Sequence, residues 1–227
     1  MSDIARRLDA VRQRIRAAEE HHGRPPGSVA LLAVSKNKPP AAVAEARNAG
    51  QTAFGENYLQ DAEEKLQALA GRGVEWHFIG PLQSNKAKAV AARFDWVHSV
   101  DREKIARRLS EQRPDGMPPL NVCLQVNVSG EASKAGLAPA ETASLARAVA
   151  GMPRLRLRGL MCLPAPSDDF ETQRRGFRQL RELLESMQAG GLALDTLSMG
   201  MSADLEAAIA EGATLVRVGT DIFGPRD

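Results

Sequence analysis

The chain has 227 residues, 43% hydrophobic and 26% charged, so it can bury a core and still carry a charged surface. Lys and Arg number 30 against 28 acids, a formal net charge of +2 with no dense basic stripe, which argues against a nucleic-acid surface. No apolar run approaches the roughly 18 residues of a membrane span, so no membrane association is expected.

The N-terminal MSDIARRLDAVRQRIRAAEE reads as an amphipathic helix, with Ile4, Leu8, Val11 and Ile15 on one face, and not as a signal peptide. Eight β-type runs follow, at Leu31–Lys36, Thr52–Glu56, Glu75–Ile79, Trp96–Val100, Leu120–Asn127, Leu155–Leu163, Thr196–Met199 and Leu215–Gly219. Helical segments separate them. The segment Phe170–Met187 repeats Phe177, Leu180, Leu184 and Met187 at helical spacing, and Asp204–Glu211 forms another helix. Asp101 and Ser202 are placed to cap helix starts. Pro114–Pro119 and Pro164–Asp169 are loops inside one domain spanning residues 1–227. Strict βα alternation calls for parallel strands. An open doubly wound sheet would also satisfy it, but eight strands in this length favour a closed (β/α)₈ barrel of the TIM type. The chain is expected to end directly after strand eight, with the first helix completing the outer ring. Cys123 and Cys162 lie in separate apolar runs and read as small buried hydrophobes of a reducing compartment, so the expected location is the cytoplasm.

Barrel chemistry gathers at the C-terminal strand ends, where polar residues and glycines crowd in this sequence. Lys36 ends strand one on the same face as Leu32 and Val34. An amine at an apolar mouth is disfavoured in its charged form, as a lysine that attacks carbonyls requires; the alternative is a rim lysine reaching water. Lys38, past the strand beside Pro39, is expected to be solvated. The loops after strands seven and eight are the usual phosphate site of such barrels. Here they offer Ser202, as an anion contact or a plain cap, and Gly219 and Thr220, which combine close backbone approach with a hydroxyl. Arg217 alternates with Val216 and Val218, so it points into the barrel if the valines face the helices. Such a guanidinium needs an acceptor: a carboxylate such as Glu56 or Asp204, or a ring nitrogen of a bound cofactor. His77, His98 and the His21–His22 pair lack metal-ligand spacing, so no metal is expected. Trp76 and Trp96 read as packing residues.

The motifs AVSK36NK, FGEN57Y, WHFIGPLQSNK86, SMGMS202AD and VR217VGT220DIFG, in this order over nearly the whole chain, resemble the pyridoxal phosphate homeostasis protein family. The tail GPRD227 lacks a further aromatic that the family leads one to expect. The resemblance implies a barrel like the N-terminal domain of alanine racemase. It implies pyridoxal 5′-phosphate (PLP) held as an internal aldimine on Lys36, with the phosphate on Ser202, Gly219 and Thr220. It places Arg217 at the pyridine nitrogen, and Asn57 and Met161 along the ring; the neighbourhoods of Lys86 and Lys134 are further places to test.

Two functions fit the resemblance. One is a non-catalytic monomer that stores, buffers or delivers PLP, with PLP-dependent apoenzymes as recipients. The other is a PLP-dependent racemase or decarboxylase. Racemisation needs an acid/base on each face of the substrate carbon, and the one tyrosine, Tyr58, is expected in the first turn of the helix after strand two, with no second domain to supply another. An arginine at the ring nitrogen also weakens the electron sink that carbanion chemistry uses. The carrier is therefore the expected function. A cofactor-free Schiff-base aldolase would explain Lys36 and a phosphate rim but not the motifs.

Overall fold

In the computed structural model, which describes residues 2–130 and 135–225, eight parallel strands close into a barrel in sequence order. They are β1 Ala30–Val34, β2 Ala53–Glu56, β3 Glu75–Phe78, β4 Trp96–Val100, β5 Leu120–Val126, β6 Leu155–Cys162, β7 Thr196–Ser198 and β8 Leu215–Val218. β8 pairs with β1 in register Leu32↔Arg217 and closes the ring. All eight expected strands form; six end a residue or two earlier at the rim, where the chain leaves the ladder, while β4 has its expected bounds and β2 starts one residue later. Lys134, Arg226 and Asp227 lie outside the described residues.

The helices are α1 Asp3–His21, α2 Pro40–Asn48, α3 Leu59–Ala68, α4 Ala87–Arg93, α5 Glu103–Gln112, α6 Pro139–Ala150, α7 Phe170–Ala189, α8 Leu205–Ala210 and α9 Thr220–Phe223. Strand alternation divides the apolar residues into two layers. Ala33, Phe54, Phe78, Val97, Val122, Leu124, Val216 and Val218 belong to the large core shared with the helices. Each of the valine, leucine and phenylalanine side chains contributes about 1.5–3 kcal/mol by leaving water. Trp96, Cys123 and Met161 form a separate small cluster inside the barrel, which leaves the rest of the interior to polar groups. Trp76 packs on Phe54 in the outer layer, as expected of a packing residue.

Several local expectations are corrected. The chain does not stop after β8, because Gly219 caps the short helix α9. Neither Asp101 nor Ser202 caps a helix: Arg102 occupies the first cap position and Asp204 the second. Tyr58 is the N-cap residue of α3, just outside its first turn. No described helix is long and apolar enough to cross a membrane.

Candidate functional site

Lys36 lies two residues beyond β1 and is partly exposed at the mouth. The Ser35 N–H still donates to Gly55 O at 3.0 Å, so strand geometry persists to the residue before it. Both of its neighbours are gripped from behind the strand. The Ser35 hydroxyl donates to Glu56 Oε1 at 2.6 Å, and the Ser35 carbonyl accepts from Lys65 Nζ at 2.8 Å. On the other side the Asn37 N–H donates to Asp61 Oδ2 at 2.7 Å. Lys65 is wholly buried and also donates to both Glu56 oxygens, at 2.9 and 3.0 Å, and to Asp61 at 3.0 Å. Lys65 and two carboxyl groups thus fix the peptides flanking Lys36. That hold suits Asn37, whose φ of 58° is sterically disfavoured for a residue with a side chain. Burial pushes Glu56 up to about 7, against the pull of Lys65 and the Ser35 hydroxyl. Burial acts in the same direction on Asp61, but the Asn37 N–H and Lys65 outweigh it and hold that carboxyl below its ordinary value. Lys38 is not simply solvated, because its Nζ donates to Pro225 O at 2.9 Å.

Arg217 points into the barrel, as its valine neighbours required, and is buried there. Its Nη1 donates to Ser198 Oγ at 2.7 Å and its Nη2 to Cys162 O at 2.9 Å. The expected ion-pair alternatives are engaged elsewhere: Glu56 by Lys65, and Asp204 by the Met201 N–H at 2.6 Å. The arginine is therefore held by neutral oxygens. From Ser198 a polar chain crosses the interior. Ser198 Oγ lies 2.8 Å from His98 Nδ1, His98 Nε2 lies 2.9 Å from His77 Nδ1, and His77 Nε2 lies 2.8 Å from Glu75 Oε1. Trp96 stacks on His77 with ring centroids 5.3 Å apart. Burial lowers the pKa of both histidines, and for His98 the neighbouring His77 and Arg217 add to the effect. Sequence reasoning gave these histidines no role. A usable signal existed in the alternation along β4, which puts Trp96 and His98 on one face.

Asn57 and Met161 are brought to the same space by different means. Met161 is buried in the interior cluster, in register with Ser198. Asn57 follows β2, and its Oδ1 is buried without a hydrogen-bond partner among the described residues. Its backbone is pressed against Gly80, where an added Cβ would sit 2.0 Å from Asn57 O, so only glycine fits. An orphaned buried acceptor is costly, and its presence suits a ligand donor.

Ser202 and Thr220 lie on neighbouring loops after β7 and β8. A side chain at Gly219 would come within 3.0 Å of Val34 O, so this loop runs flush with the end of β1, toward Lys36. Thr220 begins α9, whose Ile222 and Phe223 N–H groups both donate to Gly219 O, at 3.0 and 2.9 Å. Arg14 of α1, overlooked in the sequence, ties the two loops together. It donates to Ser202 O at 3.0 Å, to Glu206 at 2.9 and 3.0 Å, and to Asp221 at 2.6 Å. Among the described residues, the mouth thus combines a primary amine, two hydroxyl-bearing loops, a deep guanidinium without a carboxylate partner and an unsatisfied amide oxygen. This donor set fits a small aromatic aldehyde that carries a phosphate and a ring nitrogen.

The alanine racemase N-terminal domain family matches residues 7–227. The pyridoxal phosphate homeostasis protein of Pseudomonas aeruginosa is 61% identical over 227 residues, covering 100% of this chain and 97% of the relative. That of Escherichia coli K12 is 54% identical, covering 100% and 98%. Among solved structures, PipY of Synechococcus elongatus with PLP bound is similar at 39% identity, with a TM-score of 0.86 over 98% of this chain and 100% of that one. Alanine racemase from Corynebacterium glutamicum, 18% identical with a TM-score of 0.70 over 96% of this chain and 62% of its own, shares the fold.

Proposed function

This chain belongs to the pyridoxal phosphate homeostasis protein family, within the wider family of alanine racemase N-terminal domains, and on that premise we propose that it binds PLP at the barrel mouth and keeps it available without catalysing amino-acid chemistry. The observation that carries this reading is the buried Arg217, held by two neutral oxygens below the lysine-bearing rim. PLP, when bound, supplies an aldehyde that can pass from one amine to another. Lys36 is the amine that would hold it, kept in place by Ser35 and Asn37. Ser202, Gly219 and Thr220 would bind the phosphate, where hydroxyl donors to a dianion are charge-assisted. Arg217 would donate to the ring nitrogen. Asn57, through its unsatisfied oxygen, and Met161, through its apolar side chain, would border the ring. In this reading residues 1–227 act as one unit, a monomer that yields PLP to apoenzymes.

What separates carrier from enzyme is the handling of protons. A racemase or decarboxylase profits from a protonated ring nitrogen, and a guanidinium there favours the unprotonated form. Tyr58, the one tyrosine, is 58% exposed at the rim, a poor position for an acid/base over a closed site. Incubating the PLP-loaded protein with L- and D-amino acids in deuterated water tests this. The carrier reading expects release of PLP to added amine with α-proton exchange far below about 1 s⁻¹. Exchange at that rate or faster would make the protein an enzyme.

A further inference from the structure

The chain of side chains through the barrel has hydrogens that can be assigned from its two ends. A guanidinium only donates, so Ser198 Oγ accepts from Arg217. At the other end Glu75 lies at the first residue of β3 with its side chain half exposed. The His77 N–H, with Arg158 assisting from further away, holds the Glu75 carboxyl below its ordinary value against the effect of burial. Glu75 is thus a carboxylate and accepts, so His77 Nε2 carries a hydrogen. In neutral His77, Nδ1 must then accept from His98 Nε2–H. His98 Nδ1 accepts in turn from the Ser198 hydroxyl. Every donation runs one way, from cation to carboxylate, and both rings stay neutral, since burial disfavours a charge on either and Arg217 disfavours one on His98.

This order has a consequence for Arg217. A carboxylate paired directly with it would cancel its charge at the mouth. Here Asp204, a carboxyl that acts on Arg217 through space, is bonded to a backbone N–H, and Glu75 sits at the far end of three neutral side chains. We propose that Glu75, His77, His98 and Ser198 are positioning residues that act as a relayed counter-charge, orienting Arg217 from the barrel floor while leaving its positive charge to a ligand at the mouth. The proposal rests on the reading of Arg217 as the partner of the PLP ring nitrogen, and it adds that the floor of the barrel tunes that contact.

The test is ¹⁵N–¹H correlation spectroscopy of the histidine rings at pH 7, with the absorption of bound PLP as a second readout. Both His77 and His98 should be neutral with hydrogen on Nε2 only; an Nδ1–H form of either, or a charged ring, overturns the assignment. Glu75→Gln keeps an acceptor oxygen and should leave both rings as Nε2–H, while the loss of its charge should shift the PLP band. Glu75→Leu, at a half-exposed position the fold tolerates, should give mixed tautomers at His77 and a shifted PLP absorption band. Ser198→Ala should shift the band yet leave both rings as Nε2–H, because the order is set from Glu75. If Glu75→Leu leaves rings and band as in the wild type, or Ser198→Ala scrambles the tautomers, the proposal falls. Failure of the wild-type protein to bind PLP would refute the proposed function instead, since the ring tautomers are read without ligand.

Discussion

A carboxyl group buried behind the end of β1 changes how the protein answers to pH. Glu56 has its pKa raised to about 7 by burial, whereas in the unfolded chain it ionises near the ordinary value. Between those points the folded state keeps a proton that the unfolded state has lost. Stability from this group is therefore fully present at pH below the unfolded value and is lost as pH rises to about 7. The buried histidines act in the opposite sense, because their lowered pKa values make the unfolded chain bind protons first as pH falls below about 6.5. Urea unfolding of wild type and Glu56→Gln at several pH values separates the two. The stability of wild type relative to the variant should fall by roughly 3 kcal/mol across the Glu56 window, at about 1.4 kcal/mol per pH unit. A pH-independent difference would mean that Glu56 stays ionised beside Lys65 throughout. Lys36 stands out in the sequence as a candidate because it ends an aliphatic run. The cluster that fixes it does not, because Lys65 reaches Ser35 from thirty positions away and exposed helical lysines have the same local sequence.

The strands were legible as elements because each is a short aliphatic or aromatic run bounded by turn residues, and their order followed from the βα alternation. Arg217 was placed inside by the same logic, since Val216 and Val218 had to meet the helices. Helix starts near the rim were harder to place. Ser202 has the residue type of a cap, but the Asp204 side chain reaches back to the Met201 N–H and moves the start of α8 downstream. The loop that includes Ser202 is instead braced by α1 through Arg14, which also holds Asp221 beside Thr220. In the sequence, Arg14 is one more charge on an amphipathic helix. We expect Arg14→Leu to weaken PLP binding without touching it, by freeing both of these loops. A partly buried charged hydrogen bond contributes about 1.5–3 kcal/mol, so the dissociation constant measured by absorbance titration should rise by at least several-fold. Unchanged affinity would show that the two loops hold their shape without α1.

The barrel places three kinds of chemistry at different depths along one axis: Glu75 at the floor, Arg217 and the histidines in the interior, Lys36 and the two loops at the mouth. Closure in strand order makes this possible, because β1 and β8 become neighbours and set Lys36 and Gly219 at the same rim. The same architecture serves racemases at under 25% identity, so the fold alone does not decide between enzyme and carrier; the residues around the ring nitrogen do. In the proposed function PLP is held at this mouth on Lys36. Purified protein loaded with PLP should absorb in the visible, lose that band on borohydride reduction, and yield by peptide mass mapping a pyridoxyl group on Lys36. A pyridoxyl group found mainly on Lys38 or Lys86, or a wild-type protein that acquires no band at all, would contradict it.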